Sequence, residues 1–465
     1  MFLMKSLAIV LFLLTVEGSP EAIDPGRLIP AVSCAEDPQN SYALYLPSDY
    51  DPAHEWPLIL AFDPRGTGER PVEGLKNAAE RYGYIVAGSN DSRNYTSWDF
   101  QLGAAAAVWR DVANRFPIDA GRVYTTGFSG GARAATEVAL RTGAVAGVLA
   151  VGGGFRERNA IDGPIPFVFA AASGTRDMNH REMQRMHARL IEREQPTRHL
   201  IFDGPHQWAP KETFTAAVEW FEIQAIRRGL RTADPAYLSA LYETAISSAR
   251  THTGAYALAE YEQVARDFED LVDLEEVRVE IERLRRDPAV EQERKALQRG
   301  IRNEDTVRAR LAGQMRKMEA AADDASRRAG DLRILRRDLA RIEHDERSED
   351  RGRADAAKRL RAFVSSVGYE RGIVASQDGD YGRAALSYEI ALVAAPESRG
   401  LRVLLAGMYA RQNRLDRSLE TLGEAIELGL TDAERLRNES HLEALRDDPR
   451  FVALLAAIEN GVTKP

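Results

Sequence analysis

The chain of 465 residues contains one cysteine, Cys34, and 8 histidines. A single cysteine excludes an intrachain disulfide, so the fold must stand without covalent cross-links. The histidines are dispersed and no HExxH occurs, so no metal centre is expected, and no other cofactor either. A phosphate-binding P-loop is missing as well, because "GTGERP" (Gly66 to Pro71) lacks the Lys-Ser/Thr ending. Positive charge is in deficit, with 62 Lys and Arg against 71 Asp and Glu, a net charge of −9. That balance argues against a nucleic-acid partner.

Long apolar runs are confined to the N-terminus. "MFLMKSLAIVLFLLTVEGS" carries one cation, Lys5, then an apolar run from Leu7 to Val16, then small residues. That order predicts a signal peptide over residues 1–19 and export to the periplasm or the exterior. The run is short against the roughly 20 residues of a spanning helix, so membrane association is expected only if the segment stays uncleaved. Cys34 lies too far downstream for a lipid anchor and reads as a buried thiol.

What is present is a folded composition, 44% hydrophobic and 29% charged, over a length that implies two or three domains. From Ser41 to Gly229 short apolar runs alternate with helical patterns. The strands are expected at "SYALYLP", "WPLILAF", "GYIVAGS", "RVYTTGF", "VAGVLAVGG", "PFVFAAAS" and "RHLIFDG". Runs that are apolar throughout suit a mostly parallel sheet buried on both faces, which predicts an α/β domain over residues 20–230. After Gly229 the strand signal stops. Residues 231–360 read as a charge-dense helical linker, either a long hairpin or a coiled-coil-like stretch. Residues 361–465 contain an internal repeat: "GDYGRAALSYEIAL" from Gly379 returns as "NRLDRSLETLGEAI" from Asn413, with Ala385, Tyr388 and Ala391 aligned to Leu419, Leu422 and Ala425. Such a period of paired helices resembles the tetratricopeptide repeat, and "HLEALRDDPRFVALLAAI" resembles its capping helix. The second half is therefore expected to be an all-α helical repeat domain.

Between a predicted strand and a predicted helix stands Gly127-Phe128-Ser129-Gly130-Gly131. A serine hydroxyl is a poor nucleophile without a base, and the base needs an orienting acid. Asp177 follows the strand "PFVFAAAS" and His206 follows "RHLIFDG". Catalytic groups in open α/β sheets gather at the carboxyl ends of strands, so order and position select Ser129, Asp177 and His206 as the catalytic residues. The oxyanion donors are expected to be the backbone N–H of Gly130 and, because Pro64 has none, that of Arg65 in "DPRGTG". Tyr95 and Trp98 in the loop after the third of these strands, and Trp208 beside the histidine, are the candidate substrate-binding residues.

The motifs "YALYLPSDYDP", "GFSGG", "GTRD" and "GPHQW" resemble the α/β-hydrolase family, in particular its carboxylesterase/phospholipase, dienelactone hydrolase and polyhydroxybutyrate-depolymerase types. The resemblance implies an esterase in which Ser129 attacks an acyl carbonyl, His206 is base then acid, and Asp177 orients it. The expected substrate is a small-molecule or acyl ester, and the repeats are expected to take a protein or peptide partner. Where the family commonly has His-Gly, this chain has Asp63-Pro64. Two alternatives stay open: a serine peptidase of the same fold, and a catalytically silent scaffold whose repeats bind a partner.

Overall fold

The computed structural model describes residues 23–157, 160–320 and 325–460. The expected signal segment lies outside them. The first half is one sheet of eight strands: β1 Leu28–Ser33, β2 Ser41–Tyr45, β3 Trp56–Phe62, β4 Ile85–Ser89, β5 Ile118–Phe128, β6 Gly147–Val151, β7 Val168–Gly174 and β8 Thr197–Phe202. The order is β1-β2-β4-β3-β5-β6-β7-β8. Strands β1 and β2 run antiparallel to their neighbours, and β4, β3, β5, β6, β7 and β8 are mutually parallel. The fold is thus a mostly parallel sheet of α/β class followed by helices. Strand β1, which sequence reasoning missed, is an edge strand holding Pro30 and half open to solvent. Its apolar signal is weak for that reason.

Helices α1 Glu69–Tyr82, α2 Trp98–Arg115, α3 Gly130–Thr142, α4 His180–Glu192 and α5 Lys211–Arg227 cover the two faces. Alternation along β3 divides the core. Leu58, Leu60 and Phe62 pack with Val108 and Val112 of α2, Ala135 of α3 and Leu190 of α4. Ile59 faces the other way, with Val72 and Leu75 of α1 and Trp220 and Phe221 of α5. Burial on both faces is why these strands lack a period-two pattern. Register aligns the strand ends: Phe62 pairs with Gly127, Phe128 with Val151, and Gly174 with Phe202. The residues that follow these ends therefore share one rim.

Among the described residues no strand follows β8. The helices are α6 Pro235–Arg250, α7 Gly254–Asp267, α8 Glu275–Arg286, α9 Pro288–Ala320, α10 Ala325–Asp345, α11 Arg351–Gln377, α12 Tyr381–Ala394, α13 Arg399–Arg411, α14 Leu415–Glu427, α15 Ala433–Asn438 and α16 Pro449–Glu459. None is long and apolar enough to cross a membrane. The charge-dense stretch forms α9 and α10, whose Leu311, Met315 and Met318 pack on Leu335, Leu339 and Ile342 and on Leu360 and Val364 of α11. It is a hairpin seated on further helices. Helices α12 and α14 begin 34 residues apart, at Tyr381 and Leu415. Tyr388, Ala391, Leu422 and Ala425 are all buried there.

The two halves are joined by buried polar contacts as well as apolar ones. Asp267 of α7 accepts Trp220 Nε1 at 2.7 Å, Gln263 Nε2 at 2.9 Å and Arg198 Nη1 at 2.9 Å. Burial pushes its carboxyl up, and Arg198 and the N–H donors oppose that shift. Beneath the rim, Ser173 Oγ lies 3.0 Å from His180 Nδ1 and 2.8 Å from His199 Nε2. A hydroxyl donates only one proton, so at least one ring donates to it. Burial, with the guanidiniums of Arg359 and Arg181 nearby, pushes His180 down to about 3.

Because the folded pKa of His180 lies below that of an unfolded histidine, about 6.5, the unfolded chain binds the proton more tightly. The stability contribution is therefore whole above about pH 6.5 and is lost as pH falls towards 3, at about 1.4 kcal/mol per pH unit. Urea unfolding of wild type and His180→Gln between pH 6 and 5 checks this. The variant is expected to show the shallower pH slope, and equal slopes would contradict the assignment.

Candidate active site

Ser129 sits between the end of β5 and the first residue of α3 with φ 54° and ψ −114°. That backbone is unfavourable for a residue bearing a Cβ and persists only where the surroundings impose it. The imposing contacts are short. Ser129 N–H donates to Val151 O at 2.8 Å. A Cβ at Gly127 would overlap the Gly131 carbonyl, and one at Gly131 would overlap the carbonyl of Phe62. The glycines two before and two after the serine are thus required by close backbone approach, and the turn projects the hydroxyl from the rim.

His206, in the loop after β8, places Nε2 3.0 Å from Ser129 Oγ and Nδ1 2.8 Å from Asp177 Oδ1. Its ring lies 4.5 Å, centroid to centroid, from that of Phe128. Asp177, in the loop after β7, is completely buried. Its Oδ1 also accepts Asn179 N–H at 2.7 Å, and Oδ2 stands over Gly152. A buried carboxylate bonded to Nδ1 fixes the histidine tautomer with Nε2 free to accept the serine proton. The three residues selected from the sequence are therefore one hydrogen-bonded chain.

The remaining candidates are arranged differently. The N–H of Arg65 donates to Asp63 Oδ1 at 2.8 Å. The N–H selected as an oxyanion donor is thus engaged within its own turn. The guanidinium does not pair with Asp63; the other carboxylate oxygen takes Trp208 Nε1 at 2.7 Å. Trp208 is only 8% exposed, between Phe128 and Phe214. It ties the histidine loop to the loop after β3. Nothing local in the sequence showed this buried partner of the residue selected for substrate binding. Trp98 opens α2 with its ring under the Arg156 guanidinium, 4.7 Å away, and packs against the core. Tyr95 is 46% exposed in a left-handed conformation, φ 63°. Gly130 lies directly against the Asn94 side chain: a Cβ there would fall 2.6 Å from Asn94 Cγ.

The helices after β8 reach this rim. Arg359 of α11 donates from Nη1 to Thr175 O, while Nε and Nη2 bond Glu304 of α9 at 2.9 and 2.6 Å. Arg308 Nη1 donates to Met178 O at 2.7 Å, its guanidinium over Phe363. Ser366 Oγ lies 3.4 Å from Met178 Sδ. Residues 359, 363, 366 and 370 share a face of α11 at helical spacing. One turn beyond Ser366, Glu370 is exposed by area yet crowded enough that its carboxyl is pushed up, with Arg133 and His206 opposing the shift. Tyr369 and Glu370 also flank Tyr95, whose phenol is pushed above its ordinary range by burial and by these neighbours. None of these groups was selected from the sequence. Among the described residues no cluster of three or more His, Cys, Asp or Glu is placed to hold a metal.

No family model matches the chain, and no curated protein does. Among solved structures it is similar to a fluorophosphonate-binding serine hydrolase of Staphylococcus aureus, at 14% identity and TM-score 0.35, over 42% of this chain and 98% of that one. It is similar to an S-formylglutathione hydrolase of the same organism, at 13% identity and TM-score 0.33, over 39% and 92%. A third is Est1E of Butyrivibrio proteoclasticus, at 12% identity and TM-score 0.35, over 43% and 99%.

Removing the indole N–H separates the two roles of Trp208. Trp208→Phe leaves the buried Asp63 carboxylate one donor short, at a cost of about 1–3 kcal/mol. Urea unfolding is expected to register that loss while KM for small esters stays within about twofold. A raised KM with unchanged stability would return Trp208 to the substrate.

Proposed function

We propose that the chain is an exported serine hydrolase that cleaves carboxylic esters through an acyl-enzyme. The observation that carries this reading is the Ser129–His206–Asp177 chain, with bonds of 3.0 and 2.8 Å, built on the strained turn that exposes Ser129. Ser129 Oγ attacks the acyl carbonyl as its proton passes to His206 Nε2. The carbonyl electron pair moves to oxygen and is held by the Gly130 N–H at the start of α3, where the helix dipole also favours negative charge. On collapse the carbon–oxygen bond to the alcohol breaks, and His206 returns the proton to the departing alkoxide. Water then repeats the sequence on the acyl-enzyme and releases the acid. Asp177 stays ionised, holding the ring and stabilising the transient imidazolium.

The wider reading divides the chain into a signal segment, residues 1–19, a catalytic domain, 20–230, a helical connection, 231–360, and tetratricopeptide-like repeats with a capping helix, 361–465. The repeats serve a protein or peptide partner. The 34-residue offset of α12 and α14 and their buried small and aromatic positions support the last assignment.

Ser129→Ala is expected to lower kcat for p-nitrophenyl acetate and butyrate on the order of 10⁴-fold or more, and to abolish labelling by a fluorophosphonate probe. Unchanged hydrolysis would remove the catalytic assignment. A wild-type protein that neither hydrolyses these esters nor takes the probe would be a scaffold. Parallel assay of p-nitroanilides distinguishes an esterase from a peptidase.

A further inference from the structure

The proposed reaction needs more than one donor for its oxyanion, and the loop after β3 has little to give. Pro64 has no N–H. Arg65 N–H is engaged by Asp63 Oδ1, Gly66 N–H by Asp63 O at 3.0 Å, and Gly68 N–H by Asn90 Oδ1 at 3.0 Å. Of the turn, that leaves the N–H groups of Asp63, at its buried start, and of the exposed Thr67 uncommitted. The loop after β4 is zipped onto this turn: Arg65 and Arg93 form an antiparallel bridge, and Asn94 N–H donates to Pro64 O at 2.9 Å. Immediately after it the chain takes the left-handed conformation of Tyr95, φ 63°. A non-glycine residue in that region marks a segment held by its surroundings.

This scaffold presses the Asn94 carboxamide onto the Cα of Gly130, the residue after the nucleophile. A Cβ at Gly130 would overlap Asn94 Oδ1, the nearest atom, and would lie 2.6 Å from Cγ and 2.7 Å from Nδ2. The amide makes no side-chain hydrogen bond within the described protein, while its backbone is fixed. We infer that Asn94 is the second oxyanion donor: its Nδ2–H group and the Gly130 N–H together hold the oxygen of the tetrahedral intermediate. A half-turn about χ2 exchanges Oδ1 and Nδ2. A developing oxyanion accepts hydrogen bonds and donates none, so it selects the orientation with Nδ2 inward. A side-chain amide thus replaces the backbone donor that Pro64 and Asp63 have removed.

The inference rests on the serine hydrolase reading, and the experiment separates the two. Ester hydrolysis that Ser129→Ala leaves unchanged would overturn that reading, and this inference with it. Given hydrolysis that depends on Ser129, Asn94→Ala is expected to lower kcat on the order of 10²–10³-fold. KM should stay within about twofold and the urea midpoint should not move, because the amide bonds nothing in the resting protein. Binding of an alkyl trifluoromethyl ketone, which forms the oxyanion on Ser129, should weaken by the same factor as kcat/KM. Asn94→Asp keeps the shape but brings a carboxylate to the oxyanion, and should be no more active than the alanine variant. Three outcomes would overturn the role of Asn94: kcat for Asn94→Ala within threefold of wild type, a loss confined to KM, or an active Asn94→Asp.

Discussion

The bond between His206 Nδ1 and the buried Asp177 carboxylate, 2.8 Å long, is the constraint on which the rest of the site depends. A carboxylate removed entirely from water is costly unless fixed donors surround it. Asp177 meets that requirement on Oδ1, with the His206 ring and the Asn179 N–H, while Oδ2 is buried without a donor over Gly152, which lets the β6 loop approach without a side chain. Its loop must then be held still, since a shift of about 1 Å in a catalytic group can cost on the order of 100-fold in rate. The sheet half contributes Thr175 N–H to Phe202 O, Arg176 N–H to Gly204 O and Asn179 Nδ2–H to Gly152 O. The helical half adds Arg359 on Thr175 O and Arg308 on Met178 O, groups from helices α11 and α9. The helical half is therefore part of what positions the acid.

That dependence explains which features were legible in the sequence. The seven strand segments and the order serine, aspartate, histidine could be read because each depends on neighbours within a few residues. An apolar run, a Gly-x-Ser-x-Gly turn and a polar loop after a strand are local signals. The 34-residue offset was legible for the same reason. Edge strand β1 was not, because half its residues face solvent and Pro30 interrupts it. The contact between Arg359 and Thr175 spans 184 residues of sequence and leaves no local trace. The engagement of Trp208 and Arg65 left no local trace for the same reason. Both are engaged by Asp63, and only the folded chain shows one carboxylate accepting an indole N–H from one loop and a backbone N–H from another.

Asp63 also explains the departure from the His-Gly common in the family resembled. A buried acid at the end of β3 clamps the histidine loop through Trp208, and in doing so draws the Arg65 N–H inward. One side chain thus joins the histidine loop to the turn after β3, and the loop after β4 is zipped to the same turn.

The geometry of α11 adds a further constraint. The face that holds the Asp177 loop continues, one turn later, into Glu370, whose carboxyl is pushed up by burial against the opposing charge of Arg133 and His206. Tyr369 stands beside Tyr95, the exposed residue at the rim of the β4 loop. One helix face therefore serves two loops. Through Arg359 and Ser366 it reaches Thr175 and Met178, and through Tyr369 and Glu370 it reaches Tyr95, so a displacement of α11 would be felt in the Asp177 loop and in the β4 loop together.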